Sequence, residues 1–165
     1  MELMEPRRAD EPADNDQEVD AAWRRCGPAA LRFAMALVGP QDAHDITTTA
    51  FVRATRQPGW ENIEYFDRYL LRAVRNEAQN LYRQRRRQWQ RDLVAVRPET
   101  SNDVIPNVDL LRAVSALSVQ QRSVVFFAYW LDMTEAEIAE TLDVARSSVH
   151  RTLVRARVTL RKALK

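Results

Sequence analysis

Arg146, Ser147, Ser148, His150, Arg151, Arg155 and Arg157 fall within one C-terminal stretch, RSSVHRTLVRARVTLRKALK, which carries seven Arg or Lys residues and no acid. Guanidinium groups can fork onto guanine, hydroxyls and an imidazole can reach base edges, and further cations can meet phosphates. Wound as a helix, the stretch puts Val149, Leu153, Ala156 and Leu160 on a buried face and Arg146, Ser147, His150, Arg151, Arg155, Arg157 and Arg161 on the opposite one. Complementing the helix macrodipole accounts for Arg161, Lys162 and Lys165 near the end. It leaves Arg146 and Arg151 unexplained, because positive charge is disfavoured near a helix start. The segment is expected to lie in a major groove.

A second basic set accompanies aromatic rings. Arg68, Arg72, Arg75, Arg83, Arg85, Arg86, Arg87 and Arg91 flank Tyr65, Tyr69 and Tyr82. A cationic track with stacking platforms suits separated strands, each stacked base contributing about 1–3 kcal/mol over a salt-sensitive phosphate background. Core packing is the competing role for the tyrosines, Tyr69 above all.

Other chemistries find no residues. The single cysteine, Cys26, has no partner for an internal disulfide, and with only His44 and His150 as histidines there is no metal-ligand set of the usual spacing. Neither histidine has an evident carboxylate or nucleophile partner in sequence, and no phosphate-cradling glycine loop occurs. The expectation is a non-enzyme with no cofactor and no small-molecule substrate. The longest purely apolar run, Val124 to Leu131, is far short of the roughly 20 residues that cross a bilayer. The N-terminus lacks the order of a signal peptide. A soluble protein of the reducing cytoplasm, without membrane insertion, is expected.

These residues must be held by helices. Three glycines in 165 residues and few alternating Val/Ile/Thr runs predict an all-α fold. The first twenty residues hold eight acids against two arginines, a balance of −6 within a net charge of +2, so the remainder carries +8. Residues 1–18 are expected to be a disordered acidic tail, either solubilising or shielding a basic surface in cis. Val19 to Val38 reads as a helix with Trp23, Leu31, Met35 and Val38 among its apolar positions and Pro28 as a bend or fresh start. Asp42 is placed to cap a second helix carrying Ala43, Ile46, Ala50 and Ala54 on one face. A third should start near Asn62 or Glu64 and run to about Trp89, with Phe66, Tyr69, Leu70, Ala73, Val74 and Leu81 as its stripe.

Periodicity then lapses over residues 92–107, a linker, and resumes with Leu110, Leu111, Val114 and Leu117. Two capping boxes follow, Ser118 with Gln121 and Thr134 with Glu137. A short helix from Thr134, a tight turn at Asp143 to Ala145 and the cationic helix compose a helix-turn-helix, with the helix from Val119 to Leu131 as the core of this small domain. Asp143 sits where the turn wants a left-handed backbone. The predicted architecture is two small helical domains, 19–91 and 108–165, joined by the linker.

The segment ALSVQQRSVVFFAYWLDMTEAEIAETLDVARSSVHRTLVRARVTLR resembles the C-terminal promoter-reading region, region 4, of the extracytoplasmic function (ECF) group of bacterial RNA polymerase sigma factors. DAHDITTTAFVRA and FDRYLLRAVRNEAQNLYRQRRR resemble successive parts of region 2 of the same group, in family order. The resemblance implies that Asp42, Asp45, Thr48, Thr49 and Arg53 grip the clamp of the polymerase largest subunit. It implies that Trp60, Glu61 and Asn62 form a pocket for a flipped base of the −10 element and that Arg75, Asn76, Asn80 and Arg83 face that element, which puts Tyr65 and Arg72 of the basic, aromatic face along the melted strand. The cationic helix would read the −35 element. Implied partners are core RNA polymerase, through clamp and flap, promoter DNA and an anti-sigma protein.

Several features depart from the family pattern, among them Tyr69 where Trp is usual. Thr47, Thr48 and Thr49 stand where an apolar residue, Gln and an acid are usual, Ala145 replaces a Ser cap, and His150 replaces Lys or Arg. The rival readings are a stand-alone helix-turn-helix regulator, dimeric on palindromic DNA, and an adaptor that binds polymerase or an antagonist without reading DNA.

Overall fold

The computed structural model of the 165-residue chain describes residues 11–91 and 113–164, and side chains within 15–88 and 113–164. The expected linker, 92–107, and residues 1–10 lie outside the described residues. Among the described residues every regular element is helical. The elements are α1 (Glu11–Val38), α2 (Pro40–Thr55), a 3-10 turn (Trp60–Asn62), α3 (Phe66–Arg91), α4 (Val119–Tyr129), α5 (Glu135–Leu142) and α6 (Arg146–Ala163). α1, α2 and α3 pack on one another as the first domain; α4, α5 and α6 form the second.

α1 is described from Glu11, and residues 11–18 are helical where disorder is expected. Extending a helix costs little once packing has nucleated it, and the turns that follow are anchored by buried Ala22 and Cys26. The helix also continues through Pro28. That ring removes one backbone donor. Beside it, Gly27 admits the Trp23 indole so closely that a Cβ would lie 2.9 Å from the ring, and Trp23 meets Phe51 of α2 edge-on at 4.9 Å. The core face of α1 is Ala22, Cys26, Ala30, Phe33, Ala34 and Leu37, all buried, whereas Met35 is exposed and Trp23, Leu31 and Val38 lie at the margin. Trp23, Leu31, Met35 and Val38, expected to mark the core side, instead flank a stripe of small residues together with Phe33 and Leu37.

Gly39, at φ 84°, turns the chain, and Pro40 opens α2. Asp42 is therefore a first-turn acid and not the cap. α3 begins at Phe66 and buries Phe66, Leu70, Leu71, Val74 and Ala78, with Tyr69, Ala73 and Leu81 packed beside them. In the second domain both capping boxes are formed. Asp143 takes the left-handed conformation, φ 53°, and the amides of Asp143 and Val144 return to the carbonyls of Glu140 and Ala139. This is a Schellman ending with Asp in the usual glycine position.

The second domain does not keep its core to itself. Phe33 of α1 stacks on Phe127 of α4 at 4.8 Å and lies 5.0 Å from Phe126. Full burial of one such ring is worth about 1.5–3 kcal/mol and the ring pair about 0.5–1.5 more. Arg122 of α4 tightens the seam. Its guanidinium donates to the carbonyl of Leu37 at the end of α1, to Tyr82 Oη of α3 at 3.1 Å, and to the carbonyls of Val114, Ser115 and Leu117 at 3.0–3.1 Å. The helix apolar on nearly every side is thus the core of its own domain and the bridge to the other.

Candidate nucleic-acid interface

α6 is held by Val149, Leu153 and Ala156, buried against α4 and α5. Its start has no side-chain cap, since Ala145 occupies the N-cap with extended geometry. Arg146, Ser147, His150, Arg151, Arg155 and Arg157 are exposed. Arg146, Ser147, His150 and Arg151 line one shallow depression. Within it Arg151 Nε donates to the Ser147 carbonyl at 3.3 Å and Nη2 to Ser148 Oγ at 3.3 Å, so the half-buried Ser148 braces Arg151. Arg157 is engaged apart from this group, its Nε donating to Tyr129 Oη at 2.8 Å.

The depression also contains an acid absent from the helix itself. Glu135 of α5 places Oε1 3.0 Å from His150 Nδ1 and Oε2 3.8 Å from Arg146 Nε. In sequence His150 has no evident carboxylate partner nearby. The partner lies 15 positions earlier, across the turn of the helix-turn-helix.

Just before α3, Tyr65 is exposed, with Arg68 of α3 5.1 Å over its ring. Glu64, by hydrogen bond and then by charge, holds the Tyr65 phenol above its ordinary value. Tyr69 stacks on Phe66 at 6.3 Å and carries Arg72 at 5.8 Å on its ring. These two tyrosines with Arg68 and Arg72 form one wall of a groove whose other wall is Glu140 and Thr141 of α5. Arg68 stands 3.6 Å from Glu140 and 3.8 Å from Glu137. The aromatic, cationic face expected to take a DNA strand is thus set against the acidic edge of the second domain.

Two residues assigned to that strand are not on the surface. Trp60 is 5% exposed and packs on Phe66 at 5.2 Å, so it is core and only Glu61 and Asn62 of its turn are exposed. Arg75 is buried, as are Leu71, Val74 and Ala78 of the same helix; its Nε has no hydrogen-bond partner among the described residues, and desolvation pulls its guanidinium below the ordinary value. Asn76 is exposed; Asn80 Oδ1 accepts from Arg83 Nη2 at 2.8 Å.

On α2, Asp42 accepts from Arg85 of α3 through both oxygens at 2.9 Å, and Arg53 pairs with Glu77. Asp45 and Thr48 are exposed and Thr49 is half-buried. Thr47 is fully buried, its hydroxyl returned to the Ala43 carbonyl at 2.7 Å. A β-branched residue with a satisfied hydroxyl therefore fills the usual apolar position. Among the described residues no His, Cys, Asp and Glu cluster could hold a metal, and no helix is long and apolar enough to cross a membrane.

Comparison with known proteins gives matches to sigma-70 region 2 over residues 22–88 and to sigma-70 region 4 over residues 107–160. The RNA polymerase sigma-E factor of Streptomyces antibioticus is 34% identical over 143 residues, 82% of this chain and 78% of that protein. Among solved structures, the sigma factor RpoE of Bartonella quintana, crystallised in complex with the anti-sigma factor NepR, superposes with a TM-score of 0.72. That match covers 90% of this chain and 97% of the other at 19% identity, a likeness of fold.

Proposed function

The chain belongs to the ECF group of the bacterial sigma-70 family and acts as a sigma factor, and we propose that it does so through two separate DNA contacts, one on α6 and one on α3, with α2 on the polymerase. The subunit is regulatory, and bond-making belongs to the polymerase. α6 enters the major groove of the −35 element through Arg146, Ser147, His150 and Arg151, with Arg155 on phosphate. The face made by Tyr65 before α3 and Arg68, Tyr69, Arg72 and Asn76 on it follows the melted −10 strand, and Glu61 and Asn62 edge the pocket for an extruded base. Unstacking a base step costs a few kcal/mol, offset by capture of that base and by cationic contacts along the strand. Asp45 and Thr48 face the polymerase clamp. The work is done in the cytoplasm, where polymerase and promoter are.

The carrying observation is the acid-free outer side of α6 presented by a capped, buried scaffold, in one chain with the tyrosine and arginine face of α3. The −10 and −35 elements lie about 25 base pairs apart, on the order of 80 Å at 3.4 Å per step, whereas α3 and α5 are in ion-pair contact at 3.6 Å. Loading on a promoter therefore separates the two domains. Separation would expose the Tyr65 and Tyr69 groove. The closed arrangement suits storage by an anti-sigma protein, the class of partner bound by the Bartonella relative.

The test is transcription from selected promoters on linear templates by core polymerase with and without the purified chain. Specific initiation only with the chain supports the reading. A chain that never joins polymerase, yet binds symmetric sites as a dimer, is the stand-alone regulator instead.

A further inference from the structure

Among the described residues, Glu135 is the one carboxylate lining the depression that α6 presents. Its side chain is 30% exposed, against 62% for His150 and 73% for Arg146, so it lies behind the two groups it touches. It is a first-turn residue of α5, where negative charge is favoured. It also faces the uncapped start of α6, where Arg146 is otherwise disfavoured. One acid thus joins the scaffold helix to the reading helix at two points.

The chemistry of the contact is directional. An ionised carboxylate only accepts hydrogen bonds, so the His150 nitrogen facing it, Nδ1, must carry the proton. That leaves Nε2 for the groove. A neutral ring in this tautomer offers a lone pair there, matched to the exocyclic amino group of adenine or cytosine. Without the carboxylate, either nitrogen can carry the proton and the ring is free to turn, so donor and acceptor edges of several bases become acceptable.

Building on the reading that α6 recognises the upstream element, we infer that Glu135 is a positioning residue for recognition. It fixes the tautomer and orientation of His150 and anchors Arg146, and so sets the base preference at the position His150 reads.

Two measurements test this. The imidazole 15N spectrum of the free full-length chain, with His150 assigned by its loss in His150→Ala, should show the Nδ1-protonated form. Glu135→Ala should move it toward the ordinary mixture of tautomers; an identical spectrum overturns the proposal before any DNA is added, and a thermal melt checks that the variant is folded. Selection from a randomised upstream element should then show preference at one position falling by roughly tenfold in Glu135→Ala, with no further loss when Glu135→Ala is added to His150→Ala. Equal weakening on every sequence makes Glu135 merely structural and overturns the proposal. If the unaltered chain shows no upstream preference and His150→Ala changes nothing, the assignment of α6 itself has failed, a result separate from the spectrum.

Discussion

Arg68 Nη1 of α3 stands 3.6 Å from Glu140 Oε2 of α5, across the boundary between the two domains. The pair puts a carboxylate beside the aromatic and cationic face expected to take a phosphate backbone. With Glu140 74% exposed the attraction is worth at most about 1 kcal/mol. The stronger hold is the buried stack of Phe33 on Phe127, with Arg122 at its edge. The acid tunes a closure that the rings maintain.

Glu140→Gln should therefore raise affinity for a single-stranded −10 oligonucleotide by up to about fivefold at low salt, with the gain fading as salt screens the pair. Fluorescence anisotropy across a salt series measures it. Asp132→Asn, an exposed neutralisation elsewhere, supplies the background from net charge. If the two variants gain equally, the Arg68 contact plays no part.

Arg122→Ala should act on the fold. The guanidinium donates to four main-chain carbonyls and one phenol oxygen in α1, α3 and residues 113–117. Losing charged hydrogen bonds that cap helix ends costs on the order of 2 kcal/mol. A lowered urea midpoint should accompany a larger radius of gyration by solution scattering, because the same residue ties both domains. An unchanged radius would limit Arg122 to its own domain.

Much of this architecture can be read from residue types, and the exceptions have a common cause. The capping boxes at Ser118 and Thr134, the left-handed Asp143 and the Val149, Leu153 and Ala156 face of α6 follow from local chemistry within a few residues. The face of α1 does not. Reading by size favours Trp23, Leu31, Met35 and Val38, but the buried stripe runs through Ala22, Cys26, Ala30, Phe33, Ala34 and Leu37, so those four fall to the margin or to solvent. Family resemblance puts Trp60 and Arg75 on the DNA face, yet burial is decided by what packs over them, and both are buried. The Arg122 to Leu37 contact joins residues 85 positions apart, and no local rule reports such a pairing. Glu135 beside His150 is the same case at shorter range.

Acid should loosen the α5 start in a defined direction. The amide and then the hydroxyl of Thr134, both donating to Glu137 Oε2 at 2.8 Å, hold that carboxyl below its ordinary value, and Arg68 adds to this. A carboxyl whose folded value is depressed contributes stability that is present above its unfolded value, about 4.3, and is lost as pH falls through the folded value. The stability gap between the unaltered chain and Glu137→Gln should thus be full at pH 7 and shrink below about pH 4. Urea midpoints at several pH values read it, and a constant gap would assign the effect to packing.

Ala145→Ser should stabilise the reading helix. Ala145 has the extended backbone of an N-cap, φ −65° and ψ 140°, but no side-chain acceptor for the first-turn amides. Supplying one is worth about 1 kcal/mol. The expected result is a higher urea midpoint with base preference unchanged, and no rise in stability would mean that the α6 start is already satisfied.

Asp45→Lys separates binding from folding on α2. Asp42 is committed to Arg85 and Arg53 to Glu77, so altering either disturbs the packing of α2 on α3. Asp45 is exposed on the same helix, and reversing its charge should leave the melting temperature within about a degree or two, since isolated surface changes cost under roughly 0.5 kcal/mol. A carboxylate facing a cationic partner becomes repulsive on reversal, and truncating one member of a desolvated interfacial pair alone costs about 2–5 kcal/mol. Association with core polymerase, followed by size exclusion or surface capture, should consequently fall by at least about thirtyfold. Retained association by a folded variant would move the polymerase contact away from this face of α2.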